Sequence, residues 1–219
     1  MGCFRKEVIL FDNPAFKHVP VTYVLTMEGS PRRDSYMKQL QTHRPTRRVV
    51  ILHNKGYVAC KKPSWVKTPA ADLWHCNRHV LRCSRKKDCV LILEDDVVFT
   101  PQFITMAPEI ERFIKAQTSC DYYNMGCVPL LSFPLSYKHY KVFIGGSTHA
   151  ILWTRKGIQR FRDFQLKPGQ LHDFAVSLKG CGFMSAYPCA IQSHPATENR
   201  AHWPWIASFY MSLWSFTRV

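Results

Sequence analysis

This chain is short of acid relative to base. Fifteen Asp and Glu stand against thirty Lys and Arg, for a formal net charge of +15 over 219 residues. That balance predicts attraction to polyanions: nucleic acid, an anionic membrane surface or a phosphorylated small substrate. Zinc-module spacing is also missing. There are nine Cys but no CxxC pair, and the gaps around Cys76, Cys83 and Cys89 suit no zinc module. Free thiols in a reducing compartment are the expectation. No apolar run reaches the roughly 18 residues that a spanning helix needs. The opening MGCFRKEVIL has no signal-peptide h-region. Lys6 stands where N-myristoylation after Gly2 requires Ser or Thr. A protein made in the cytoplasm, without signal peptide or transmembrane helix and at most peripheral at a membrane, is therefore expected. No internal repeat or low-complexity segment occurs.

What is present reads as a globular chain. It is 46% hydrophobic, 21% charged and 13% aromatic, enough to bury a core. Residues 1–19 read as an N-terminal leader with a short strand at Glu7–Phe11. VTYVLTM (21–27) is β-rich and reads as the first core strand. Gly29 and Pro31 break it, and a helix is expected from Arg32 to Gln41. RRVVIL (47–52) is a second strand, and 53–69 a loop. Leu73, Cys76, Val80 and Cys83 recur at three or four residues, predicting a helix over 70–86 with one buried stripe. CVLIL (89–93) is a continuous apolar run, as in a strand covered on both faces. Pro101 suits the first turn of a helix over 102–116. Strands are expected at 121–125, 142–144, 149–153 and 186–192, short helices at 155–162 and 171–178, and a loop at 126–141. Strands alternating with helices argue for an α/β fold with a mostly parallel central sheet.

Glu94, Asp95 and Asp96 close the 89–93 strand. Ligands of open α/β sheets bind at the carboxyl ends of the strands. Three adjacent acids beside a buried strand cost stability unless a positive charge sits with them. A hard cation, Mn²⁺ or Mg²⁺, accepts carboxylate and phosphate oxygens together. Alternation along an extended segment lets Glu94 and Asp96 converge on one site while Asp95 points elsewhere. The plainer alternative is a solvated acidic turn paired with some of the many Lys and Arg.

Four segments in order resemble glycosyltransferase family 25, the lipopolysaccharide and collagen galactosyltransferase type. They are VTYVLTMEGSPRRDSYM (21–37), TPAADLWHCNRHVL (68–81), VLILEDDVVF (90–99) and GGSTHAILWTRKGIQRF (145–161). The chain departs from the family pattern at Arg32-Arg33-Asp34 and at Trp74, which points to a divergent branch. The resemblance implies a GT-A type, Rossmann-like nucleotide-sugar-binding fold over 20–205. It implies a divalent metal bridging the donor diphosphate, and transfer with inversion to a glycan, protein or lipid-linked hydroxyl. Glu94 and Asp96 match the metal motif, and Asp95 would face ribose or sugar hydroxyls or share the metal.

Other candidates come from residue chemistry. Asp173 opens a helix and is a candidate general base. His194, in QSHPATENR, is a candidate third metal ligand. Arg32 and Arg33 sit at a strand-to-helix turn and suit phosphate. Thr26 and Glu28 leave the first strand beside the expected nucleotide. Gly146 permits close approach of backbone to ligand. His75 is expected to brace the acidic loop. Ile206, Phe209, Tyr210, Leu213 and Trp214 form an amphipathic C-terminal segment (206–219) that either packs on the domain or lies on a membrane. Two other classes compete: a basic nucleic-acid-binding protein or metal-dependent nuclease, and a lectin-like module without activity. Scattered basic pairs such as 47–48, 61–62 and 155–156 do not form the stripe that nucleic acid needs, so that partner is not expected.

Overall fold

Burial along β4 (Cys89–Glu94) shows how the sheet is built. Cys89, Leu91 and Leu93 face one apolar cluster, while Val90 and Ile92 face another. The same alternation holds in β2 (Thr22–Met27), β3 (Arg48–Asn54) and β9 (Ala150–Thr154). Strands with two apolar faces need a layer of helices on each side. This computed structural model describes residues 2–167 and 169–192.

The further strands are β1 (Phe4–Leu10), β5 (Val97–Phe99), β6 (Tyr122–Asn124), β7 (Val128–Pro134), β8 (His139–Gly146), β10 (Gly182–Ser185) and β11 (Ala190–Gln192). A nine-stranded sheet has the order β1-β3-β2-β4-β9-β6-β10-β8-β7, and β11 pairs with β5 in a small second sheet. β1, β8 and β9 run against the other strands of the large sheet, so it is mostly parallel, as expected.

Among the described residues the helices are α1 (Arg33–His43), α2 (Gly56–Ala59), α3 (Pro69–Cys83), α4 (Gln102–Ala116), α5 (Arg155–Phe161) and α6 (His172–Lys179). One core takes Tyr36 and Leu40 from α1 and Phe103, Met106 and Ile110 from α4. The other takes Trp74, Val80 and Leu81 from α3, Phe161 from α5 and Val176 from α6. Local chemistry fixes the helix starts. Thr68 accepts a hydrogen bond from the Ala71 N–H at 3.2 Å and Pro69 fills the first helical position of α3, where its missing N–H costs nothing. Thr154 caps α5 through Gly157 N–H at 3.3 Å.

Several expectations change. The segment set apart as a leader is the edge of the sheet, with β1 antiparallel to β3 and Phe16 and Val19 in the core. The loop expected at 126–141 is largely β7 and the start of β8. Pro129 and Pro134 hid β7, because proline is tolerated on an edge strand that needs no outward N–H. The strand expected at 186–192 is shorter (β11), and β10 precedes it. The α3 stripe is broader than predicted: Trp74, Asn77 and Leu81 are buried too, while Cys83 is exposed. Cys3 and Cys60 form a disulfide, leaving seven cysteines free, so the free-thiol expectation fails at that pair. Strand pairing brings the two together across 57 residues, which spacing alone cannot reveal. Among the described residues no helix is long and apolar enough to cross a membrane. The segment 206–219 lies outside the described residues.

Candidate functional site

β2, β3 and β4 are parallel neighbours, so their C-terminal ends, Met27, Asn54 and Glu94, lie along one edge. β9 runs the other way and starts there, with Glu94 N–H donating to the His149 carbonyl at 2.9 Å. A cleft of about 690 Å³ opens over this edge. Glu94, Asp95, Asp96 and Asp173 all line it, together with Thr26, Arg32 and Gly146. β4 ends at Glu94, Asp95 and Asp96 lie in the turn after it, and all three acids face the cleft, so strand alternation does not send Asp95 away from it.

Asp95 is buried and fully engaged. Its Oδ2 accepts from Thr26 Oγ1 at 2.7 Å and Ser30 Oγ at 2.8 Å, and its Oδ1 accepts from Arg32 Nη1 at 2.9 Å. The carboxylate therefore pins the β2–α1 turn onto the acidic loop. This position leaves the side chain little capacity for the sugar or ribose hydroxyls expected of it. Asp96 differs. Gln192 Nε2 donates to its Oδ2 at 2.7 Å and Arg32 stands 3.9 Å away, but its buried Oδ1 has no hydrogen-bond partner among the described residues. Leaving a buried acceptor unpaired costs roughly 1–3 kcal/mol, more for a charge.

Glu94 receives one long hydrogen bond, 3.3 Å from Thr148 Oγ1. Burial, then the charges of Asp96, Asp173 and Asp95, hold its pKa well above the usual carboxylate range. Asp173 goes the other way. Burial pushes it up, but His172, Thr148 and the Ser147 N–H outweigh that and hold its carboxyl at about 2. Its Oδ1 accepts from Thr148 Oγ1 and pairs with His172 Nε2, both at 2.8 Å, and its Oδ2 accepts from Ser147 N–H at 3.1 Å. Two carboxylates in one cleft are thus driven apart, a pattern that marks functional sites.

The cleft is short of positive charge. Asp95 and Asp96 share Arg32 and Asp173 pairs with His172, while Lys55 is a further cation of the lining. A fifth acid, Asp72, is balanced by the buried Lys62 ammonium, with Asn54 Nδ2 donating to it at 2.9 Å. Among the described residues no three His, Cys, Asp or Glu side chains form a ready metal cage. The donors present still fit a hard cation. Mg²⁺-type sites use one or two carboxylates and leave the remaining positions to water and substrate phosphate, and Asp96 Oδ1 with Glu94 offers that much.

Not every expected residue arrives. Glu28 is absent from the cleft lining and its exposed carboxylate lies 3.7 Å from Arg5. Arg33 points to the β1 edge, where Glu7 accepts its two Nη groups at 3.0 and 2.7 Å. Adjacent residues at a helix start diverge by about 100°, so only Arg32 of the pair can face the acids. His75 lies between Phe4 and Trp65, away from the acidic loop. His194 lies outside the described residues. Three groups escaped the sequence reading. Thr148 links Glu94 to Asp173, and Gln192 reaches Asp96 from β11. The buried Trp74 stacks on His172 with centroids 6.2 Å apart. His172 stood beside the chosen Asp173, but nothing in the sequence tied Trp74 or Gln192 to the acids.

No family model matches the chain, and no curated protein matches it. Solved structures give remote likenesses. A197 from STIV shares 12% identity over 82% of this chain and 96% of its own, with a TM-score of 0.45. A glycosyltransferase involved in the glycosylation of the major capsid of PBCV-1 shares 11% identity over 76% of this chain and 94% of its own, with a TM-score of 0.35. At these TM-scores neither neighbour speaks to the chemistry of this chain.

Proposed function

We propose that the chain is a metal-dependent glycosyltransferase. It moves a sugar from a nucleotide-sugar donor, a UDP-sugar first, to a hydroxyl of a glycan, protein or lipid-linked acceptor, with inversion. Asp96 carries the reading. It is a buried carboxylate with one oxygen unpartnered among the described residues, in a cleft lined by four other acids, Arg32 and Lys55, at the carboxyl ends of parallel strands. That surplus of negative charge needs a cation, and so does a diphosphate. Asp96 and Glu94 would hold Mn²⁺ or Mg²⁺. The metal would supply charge stabilisation for the leaving diphosphate.

The residues around it have separate tasks. Asp95 and Arg32 keep the β2–α1 turn closed on the acids. Met27, Tyr57 and Val58 give the cleft an apolar lip, suited to the flat face of a nucleobase. Asp173 is the candidate proton acceptor for the incoming hydroxyl. At about 2 it is a weak base while His172 and Thr148 engage its Oδ1. A polyanionic nucleic acid fits this cleft poorly, since five acidic side chains line it.

Titration calorimetry with UDP- and GDP-sugars, with and without Mn²⁺, tests the reading. Donor binding that requires the cation is expected, and Asp96→Asn should lose it while melting as a folded protein. Turnover should fall about 10²-fold or more, the scale of losing a central electrostatic group. Binding by Asp96→Asn equal to the parent, or no nucleotide-sugar affinity with any divalent cation, would sink the proposal.

A further inference from the structure

We propose that the outer face of the β7–β8 hairpin docks on an anionic lipid bilayer. Leu131, Phe133, Leu135, Tyr137 and Phe143 are all exposed there, Phe133 at 60% and Tyr137 at 75%. Register shows which face the rings occupy. Phe133 lies opposite Lys141, and Lys141 lies opposite Phe183 of β10, so the three share one side of the sheet. α4 covers that side only as far as Phe113, which packs edge-on to Phe183 at 5.1 Å and stacks on His139 at 4.2 Å. Beyond it, among the described residues, Phe133 and Phe143 stand without a covering layer. Contiguous exposed apolar side chains of this size mark an interaction surface.

Charge selects the partner. Residues 128–146 contain no Asp or Glu. Lys138 Nζ lies 5.2 Å from the Tyr137 ring centroid, and Lys141 Nζ lies 5.3 Å from that of Phe143. A lysine laid along an aromatic ring puts its alkyl stem on the apolar layer and its ammonium at the rim, the arrangement of side chains at a membrane interface. The neighbouring acid, Glu109, is already taken by Lys138 and Arg112. The net charge of +15 adds attraction to an anionic surface. A protein partner that adds a strand fits worse. β7 carries Pro129 and Pro134 and two register shifts, which remove donors and bend the edge.

The test is co-sedimentation of the full chain with vesicles of phosphatidylcholine alone and of phosphatidylcholine mixed with phosphatidylserine. Binding to the mixed vesicles, weakened by salt, is expected. Phe133→Ser combined with Phe143→Ser should lower the bound fraction about tenfold, on the scale of losing two inserted rings. Lys141→Glu should lower it as well. Leu10→Ser, on the opposite sheet edge, should bind as the parent does. All four positions are solvent-accessible, so equal melting temperatures check the fold. No binding of the parent to mixed vesicles overturns the proposal, and so does full binding by the double variant. A parent dimer in light scattering that the double variant abolishes would make a second copy the occupant, and would overturn it equally.

Discussion

Removing Asp95 tests how the acidic loop is held. Asp95→Ala leaves the Thr26 and Ser30 hydroxyls without their acceptor and takes the partner from Arg32, which now lies 2.9 Å from it. Breaking a buried ion pair costs about 3–5 kcal/mol. The Arg32 side chain is 29% exposed and can rehydrate, so the lower end, about 3 kcal/mol, is expected. For a domain of this size each kcal/mol lowers Tm by about 2–4 °C, so Tm should fall by ~6–12 °C. Arg32→Met should cost a similar amount, because Asp95 and Asp96 then lose their shared cation. The double variant should be more stable than the sum of the two by ~1–3 kcal/mol, since each single change strands what the other removes. Calorimetry at pH 7 with urea unfolding of all four proteins gives the cycle. Single losses under about 1 kcal/mol, or strict additivity, would refute the pin.

Three further outcomes are expected. Gly157→Ala should destabilise by at least ~1–3 kcal/mol in urea, because its Cβ would fall 1.9 Å from the Asp121 carbonyl; an unchanged midpoint would contradict that packing. Reducing the Cys3–Cys60 bond should cost up to about 4 kcal/mol by loop-closure entropy over its 57-residue separation, and Cys3→Ser should match the reduced parent; insensitivity of both would argue against the bridge. Acid should also act against the fold at His79. Burial first, then Lys6, lowers His79 from 6.5 to about 4. The unfolded chain therefore binds the proton that the folded chain refuses, and stability falls as pH drops from 6.5 towards 4. Discounted for partial exposure, the loss is on the order of 1 kcal/mol by pH 5. Glu7, held at about 2 chiefly by the Arg33 hydrogen bond, extends the loss from pH 4.5 downward. Glu94, raised by burial, works the opposite way in this window, so His79→Gln isolates the effect: a variant whose urea midpoint changes between pH 7 and 5 just as the parent's does would contradict the assignment.

Much of the fold is legible in the residues because its signals are local. The CVLIL run reads as a strand covered on two sides, and Leu91 and Ile92 do face different cores. The apolar stripe that predicts a helix from residue 70 places the start of α3 within a residue of Pro69. β7 was not legible, because edge strands accept the prolines that read as loop. Trp74 gave no sign of its place behind His172, since that contact joins residues far apart in the chain.

The sequence by itself determined that three acids follow a buried strand. Only the tertiary structure decided what each one meets. Asp95 is consumed by Thr26, Ser30 and Arg32, Asp96 keeps an oxygen free among the described residues, and Arg33 turns to Glu7. Backbone periodicity gives a side chain its direction. Its partners come from strand order and register, which place residues more than sixty positions apart within hydrogen-bonding reach, and no short stretch of sequence contains that information.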